Sequence, residues 1–157
     1  MMTTTQNDKF ISVLGKYFGE AEITSFLTGL EITDKPKLKR GDVTTHLSNN
    51  SLGVELTFRA ADALRVSTRD YPDGALVLSN VSLYGDQSDD FQPFVGPLPL
   101  GVVFGDSKSA LLSKLGVPTR DNEELRLMRW DFQGYCAFAK LSESGVLRVF
   151  GIQLPVA

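Results

Sequence analysis

The sequence predicts an α+β protein: a tandem pseudo-repeat of a short helix followed by a three-stranded antiparallel meander, joined into one sheet with both helices on one face. Three observations lead there. The first is the stretch 98 to 118, an extended run that breaks at Gly105 and re-forms as a short helix with both ends marked. Asp106 is placed to cap the first turn, Leu111, Leu112 and Leu115 make an apolar stripe, Gly116 suits the residue after the last turn, and Pro118 blocks continuation. The second is the alternation that follows: Met128, Trp130 and Phe132 share one face and Arg129 and Asp131 the other, with Gln133-Gly134 and Glu143-Ser-Gly145 as hairpin turns. The third is an internal match. Leu14-Gly-Lys-Tyr-Phe-Gly-Glu20 lies over Leu100-Gly-Val-Val-Phe-Gly-Asp106, and one extra residue then aligns Phe26, Leu27 and Leu30 with Leu111, Leu112 and Leu115.

The remaining elements follow in order. Ile23, Phe26, Leu27 and Leu30 form one helical face, with Glu20 and Glu22 in the first turn, where the macrodipole favours negative charge. A basic connector (Lys35, Lys37, Lys39, Arg40) leads to strands expected at 42 to 48, 53 to 59 and 75 to 84, and the second copy supplies strands at 127 to 132, 135 to 141 and 146 to 154. About nine helical residues cannot stand alone in water, and a lone three-stranded meander is marginal. The copies are therefore expected to share one sheet. This gives a disordered N-terminus over 1–9 and a single domain over 10–157, made of repeats 10–85 and 97–154 with a crossover at 86–96.

The chain has 157 residues, a formal charge of -3 and one cysteine. A net negative charge argues against a nucleic-acid partner, which needs cations to replace phosphate counterions. The lone Cys136 forms no internal disulfide and suits a reducing compartment. No basic region followed by an apolar run opens the chain, and no later run has the length of a membrane span, so a cytoplasmic protein without membrane contact is expected.

Chemistry-bearing motifs are sparse. His46 is the only histidine, with no ligand-spaced partner for zinc, and no nucleophile elbow accompanies it. Residues 86 to 90 lack the glycine and terminal glutamate of a calcium loop. No catalytic residue, cofactor or metal is expected, and a non-enzyme is the better reading. Two loops have the composition of an interface. In the crossover, Asp86, Asp89 and Asp90 precede Phe91 and Phe94, an acidic rim beside apolar anchors, and Asp121-Asn-Glu-Glu124 is a second acidic loop that includes Glu123.

The unit "glycine, phenylalanine, acidic cap, short helix, Leu-Gly-x-Pro, meander", carried by residues 98 to 118 and by Arg129-Trp-Asp-Phe-Gln-Gly-Tyr-Cys-Ala-Phe138, resembles the repeat of the β-lactamase-inhibitor proteins and of the small lipoprotein of the outer-membrane barrel-assembly machinery. The two-copy form is similar to cytoplasmic immunity proteins encoded beside bacterial polymorphic toxins of the Rhs and type VI secretion effector type. The lipoprotein's signal peptide and lipidated cysteine have no counterpart here, which removes the envelope-assembly reading. The immunity resemblance implies a monomer or weak homodimer that occludes a cognate toxin domain. Its contacts would come first from the loops, Asp86, Asp89, Asp90 and Phe91 together with Asp121, Glu123 and Glu124, or alternatively from an outward face carrying Arg129, Asp131, Lys140 and Arg148. The competing expectation is a small enzyme or ligand carrier with a cleft between the repeats, His46 or Cys136 in its wall. A scaffolding subunit is a third.

Overall fold

The computed structural model describes residues 8–65, 69–85 and 91–155. It contains α1 (Asp8–Val13), α2 (Ala21–Gly29), β1 (Thr44–Asn49), β2 (Val54–Ala60), β3 (Leu76–Tyr84), α3 (Lys108–Leu115), β4 (Arg120–Asn122), β5 (Leu127–Phe132), β6 (Tyr135–Leu141) and β7 (Leu147–Gln153). The seven strands form one antiparallel sheet in the order β1-β2-β3-β7-β6-β5-β4. β3 and β7 meet at its centre, where Ser82 lies opposite Gly151.

Period-two patterning explains the strands. In β2, Val54, Leu56 and Phe58 are fully buried, and in β5 Met128 and Trp130 are buried between the more exposed Arg129 and Asp131. One apolar cluster holds Phe10 of α1, Ile23 and Leu27 of α2 and Leu111 of α3 together with Leu56, Phe58, Leu83, Trp130 and Phe150 of the sheet. Each fully buried Leu, Ile or Phe contributes about 1.5–3 kcal/mol of gross attraction, most of it offset by chain ordering.

The termini of α3 differ in detail from the expectation. Ser107, not Asp106, is the N-cap and accepts the Ala110 N–H at 3.1 Å. Asp106 turns back instead, accepting the Val103 N–H at 3.0 Å and the Lys114 ammonium at 2.8 Å. Of the stripe, Leu111 is fully buried and Leu115 packs against the core, but Leu112 is 37% exposed. Two elements lie outside the expected set. β4, the polar triplet Arg120-Asp121-Asn122, is exposed throughout and is a strand only because its backbone pairs with β5. α1 is six residues long, too short for periodicity to reveal, and is held by Phe10 against Phe26 and Phe94. Of the residues expected to be disordered, Asp8 and Lys9 belong to α1 and 1–7 lie outside the described residues.

Ahead of α2 and α3 the backbone turns in the same way. Gly15 and Gly19 have φ of 85° and 112°, and Gly101 and Gly105 have φ of 77° and 94°. Glu20 accepts the Tyr17 N–H at 2.8 Å, as Asp106 accepts that of Val103. Around the first turn, Arg69 pairs with Glu20 at 3.1 Å and lies over the rings of Tyr17 and Tyr71, while the Tyr71 hydroxyl donates to the Gly15 carbonyl.

These turns carry a pH dependence. Burial pushes the Glu20 and Asp106 carboxyls up, but donors outweigh it and hold both below their ordinary range: the Tyr17 N–H and Arg69 guanidinium for Glu20, the Lys114 ammonium and Val103 N–H for Asp106. A carboxyl depressed in the folded state adds stability above its unfolded pKa and loses it as pH falls through the folded value. Glu20→Gln and Asp106→Asn are therefore expected to be less stable than wild type at neutral pH. In denaturant titrations the difference should shrink as pH falls below the ordinary carboxylate range; a difference independent of pH would contradict these assignments.

Candidate interaction face

Away from the apolar cluster the sheet presents a second face whose side chains follow from the register. One row runs Ser48, Glu55, Ser82, Gly151, Phe138, Arg129, Arg120; the next runs His46, Thr57, Asn80, Gln153, Cys136, Asp131. Gly151 leaves room for the Phe138 ring at the centre, since a Cβ there would meet that ring at 2.0 Å. The outer edge of the Phe138 ring thus fills the space over Gly151.

Arg129 and Asp131 sit two residues apart on β5 and form a paired bridge, Nε to Oδ1 at 2.8 Å and Nη2 to Oδ2 at 3.2 Å. The Arg129 guanidinium and the Cys136 thiol hold the Asp131 carboxyl below its usual range. Asp121 and Glu123 converge on Lys108 of α3, at 2.7 and 3.8 Å, which raises the lysine's pKa. Asp121 lies opposite the buried Met128 and, with Glu123, turns toward α3, whereas Arg129 and Asp131 lie on the second face; Glu124 is exposed in the β4–β5 turn. Beside them Leu125 is 57% and Val117 91% exposed. These two apolar anchors were not singled out from the sequence, although Leu125 adjoins the acidic loop.

Phe91 is stacked at 4.0 Å on Tyr84, which lies on the same face toward its β2 side, where the Tyr84 hydroxyl donates to Glu55 at 3.1 Å. Tyr84 on β3 and Arg129 on β5 are three strand spacings apart, roughly 14 Å. The acidic residues expected beside Phe91, Asp86, Asp89 and Asp90, lie outside the described residues. Phe94 packs against the core, so the crossover is anchored from below. Lys140 is exposed on the face, opposite Val149. Arg148 is not part of that set: it is the extra residue where β7 slips against Leu141, and its Nε is buried.

His46 is exposed and contacts Thr57 Oγ1 through Nδ1 at 3.0 Å, and Cys136 is buried opposite Asp131 and Gln153. Among the described residues, no cluster of three or more His, Cys, Asp or Glu is placed to hold a metal ion, and no helix is long and apolar enough to cross a membrane.

This architecture defines an α+β protein built on a seven-stranded antiparallel sheet, and known structures place it further. An extracellular SCP-domain protein from Bacillus anthracis str. Ames superposes with a TM-score of 0.54 over 98% of this chain at 9% identity, which establishes a shared fold. The chain spans about half of that protein, 48% of its length. A DUF4309 family protein, YjgB, from Bacillus subtilis subsp. subtilis str. 168 matches at a TM-score of 0.42 and 12% identity, over 84% of this chain and 77% of its own. No protein-family model and no curated protein matches the sequence.

Proposed function

We propose that this protein is a macromolecular binding protein that acts as an immunity protein, occluding a cognate toxin domain in the producer's cytoplasm. The observation that carries this reading is the second sheet face, where the Arg129–Asp131 pair, Phe138 and Lys140 lie between two flanking loops. The six longer strands give a face roughly 24 Å by 20 Å, about 500 Å2 in plan. A standard interface takes about 800 Å2 from each partner. Such a complex therefore draws in the loops as well, Phe91 on one side and Glu123, Glu124 and Leu125 on the other. The acidic loop suits a basic cleft and would speed encounter, while the exposed Leu125 would be covered at contact.

The tandem duplication belongs to the same proposal. It is supported by the matched glycine pairs, by the paired roles of Glu20 and Asp106, and by the meeting of the third strand of each meander at β3 and β7. Duplication would place both repeats' helices on one side and leave the other side for the partner.

The test is co-expression with the product of the adjacent open reading frame. The expected result is that this product arrests growth alone, that the present chain restores growth, and that the two co-purify from the cytoplasmic fraction. A neighbour that is harmless when expressed alone, or one that never forms a complex with this chain, would overturn the proposal.

A further inference from the structure

A pocket of about 270 Å3 opens on the second face at the seam of the two meanders, and its chemistry is one-sided. Arg59 and Thr57 of β2, Asn80 of β3, Gln153 of β7 and Arg65 line it, with Leu64, Leu154 and Pro155 as its apolar part. Among the described residues no carboxylate lines it, in a chain with 19 acidic and 16 basic residues.

The side-chain amide oxygens and the Thr57 oxygens in the wall already have partners. Gln153 Oε1 accepts from Asn80 Nδ2 at 3.3 Å, Asn80 Oδ1 accepts from Ser82 at 3.3 Å, and the Thr57 carbonyl accepts from Ser79 at 3.2 Å. Thr57 Oγ1 is in contact with His46 at 3.0 Å. Glu55, two residues before Thr57 on the same face, is taken by Tyr84. The donors are not used in the same way. The contact of Arg59 Nη1 with the Ala63 carbonyl is long, at 3.4 Å, and neither Arg59 nor Arg65 is in an ion pair among the described residues. Two guanidinium groups and the Gln153 amide N–H2 thus border a cavity in which the Gln153, Asn80 and Thr57 oxygens already have partners.

We infer that this pocket binds a small anion, a low-molecular-weight compound carrying a carboxylate or a phosphate, which the two arginines would hold through charge-assisted hydrogen bonds. The volume, just below the ~300–1,000 Å3 of sites for drug-sized ligands, limits the occupant to a short carbon skeleton. Leu64, Leu154 and Pro155 offer that skeleton an apolar wall, and the Gln153 amide can donate to a second oxygen. Because the lining comes from β2, β3 and β7, an occupied pocket would tie both meanders together. The inference does not rest on the proposed toxin partner, although the pocket opens on the face assigned to it.

The experiment is calorimetric titration of the purified chain at constant ionic strength, with inorganic phosphate in one arm and succinate in the other, backed by thermal melts with each. Saturable binding is expected in at least one arm, with a rise in Tm that grows with ligand concentration. Saturation by phosphate alone assigns a phosphorylated ligand, and saturation by succinate alone an organic acid. Arg59→Gln and Arg65→Gln should each weaken binding about tenfold or more. Arg65 is exposed, so its variant retains the test should Arg59→Gln fold poorly. No saturable binding in either arm, or binding equally strong in wild type and both variants, would overturn the inference.

Discussion

Trp130→Ala is expected to lower stability by about 3–5 kcal/mol, the range for emptying a buried aromatic site. Trp130 is 2% exposed on β5, and its indole Nε1–H donates to the Gly116 carbonyl at 2.9 Å, at the C-cap of α3. The side chain therefore fills the core and ties the end of a short helix to the sheet. Eight residues cannot hold α3 together without such contacts. Trp130→Phe keeps most of the packing and loses the hydrogen bond, worth about 0.5–1.5 kcal/mol, so it should fall clearly between wild type and alanine. Urea unfolding followed by far-ultraviolet circular dichroism measures all three, since Trp130 is the only tryptophan. Equal losses in both variants would mean that the bond to Gly116, rather than the volume, dominates.

The second large effect is at Gly53, in the turn from β1 to β2. Its φ is 73°, and a Cβ there would lie 2.3 Å from the Gln92 carbonyl oxygen and 2.7 Å from the Phe94 nitrogen. These are backbone atoms and cannot rotate away. The crossover is fixed there by the Gln92 N–H to Asn50 O bond at 2.8 Å and by the Phe94 N–H to Tyr84 O bond at 2.7 Å. Gly53→Ala is expected to cost about 2–5 kcal/mol, the sum of the left-handed backbone penalty and the overpacking. Gly134 is the control: its φ is 88° but nothing lies within 4 Å of an added Cβ, so Gly134→Ala carries the backbone penalty alone. Thermal melts should place Gly53→Ala well below Gly134→Ala. Coincident melts would mean that the crossover moves freely off the turn.

β2 and β5 were legible because they alternate, and the expected spans 127 to 132 and 135 to 141 coincide with β5 and β6 although β6 has adjacent buried residues. α2 was legible from the spacing of Ile23, Leu27 and Leu30, which are all buried. β4 was not, because a three-residue polar edge strand has no pattern and is defined by its neighbour. The Ser107 cap was displaced to Asp106 because two adjacent residues both have capping side chains, and only the backbone shows which faces the helix. The bridge between Arg129 and Asp131 follows from their two-residue spacing on one strand, whereas the convergence of Lys108 with Asp121 depends on how α3 returns to the sheet. The anion pocket was the least accessible to sequence reading. Arg59, Asn80 and Gln153 are far apart in the chain and become neighbours only through the β2–β3 and β3–β7 registers.

The most direct measurement of where the proposed partner sits is the Kd of the purified neighbouring gene product for three forms of this chain. They are the wild type, Arg129→Glu combined with Lys140→Glu on the second face, and Ser25→Lys, an exposed position on α2 across the sheet. Binding through the second face weakens about tenfold or more in the double variant and stays unchanged in Ser25→Lys. Unchanged affinity in the double variant with a loss in Ser25→Lys would place the partner on the helices and contradict the account.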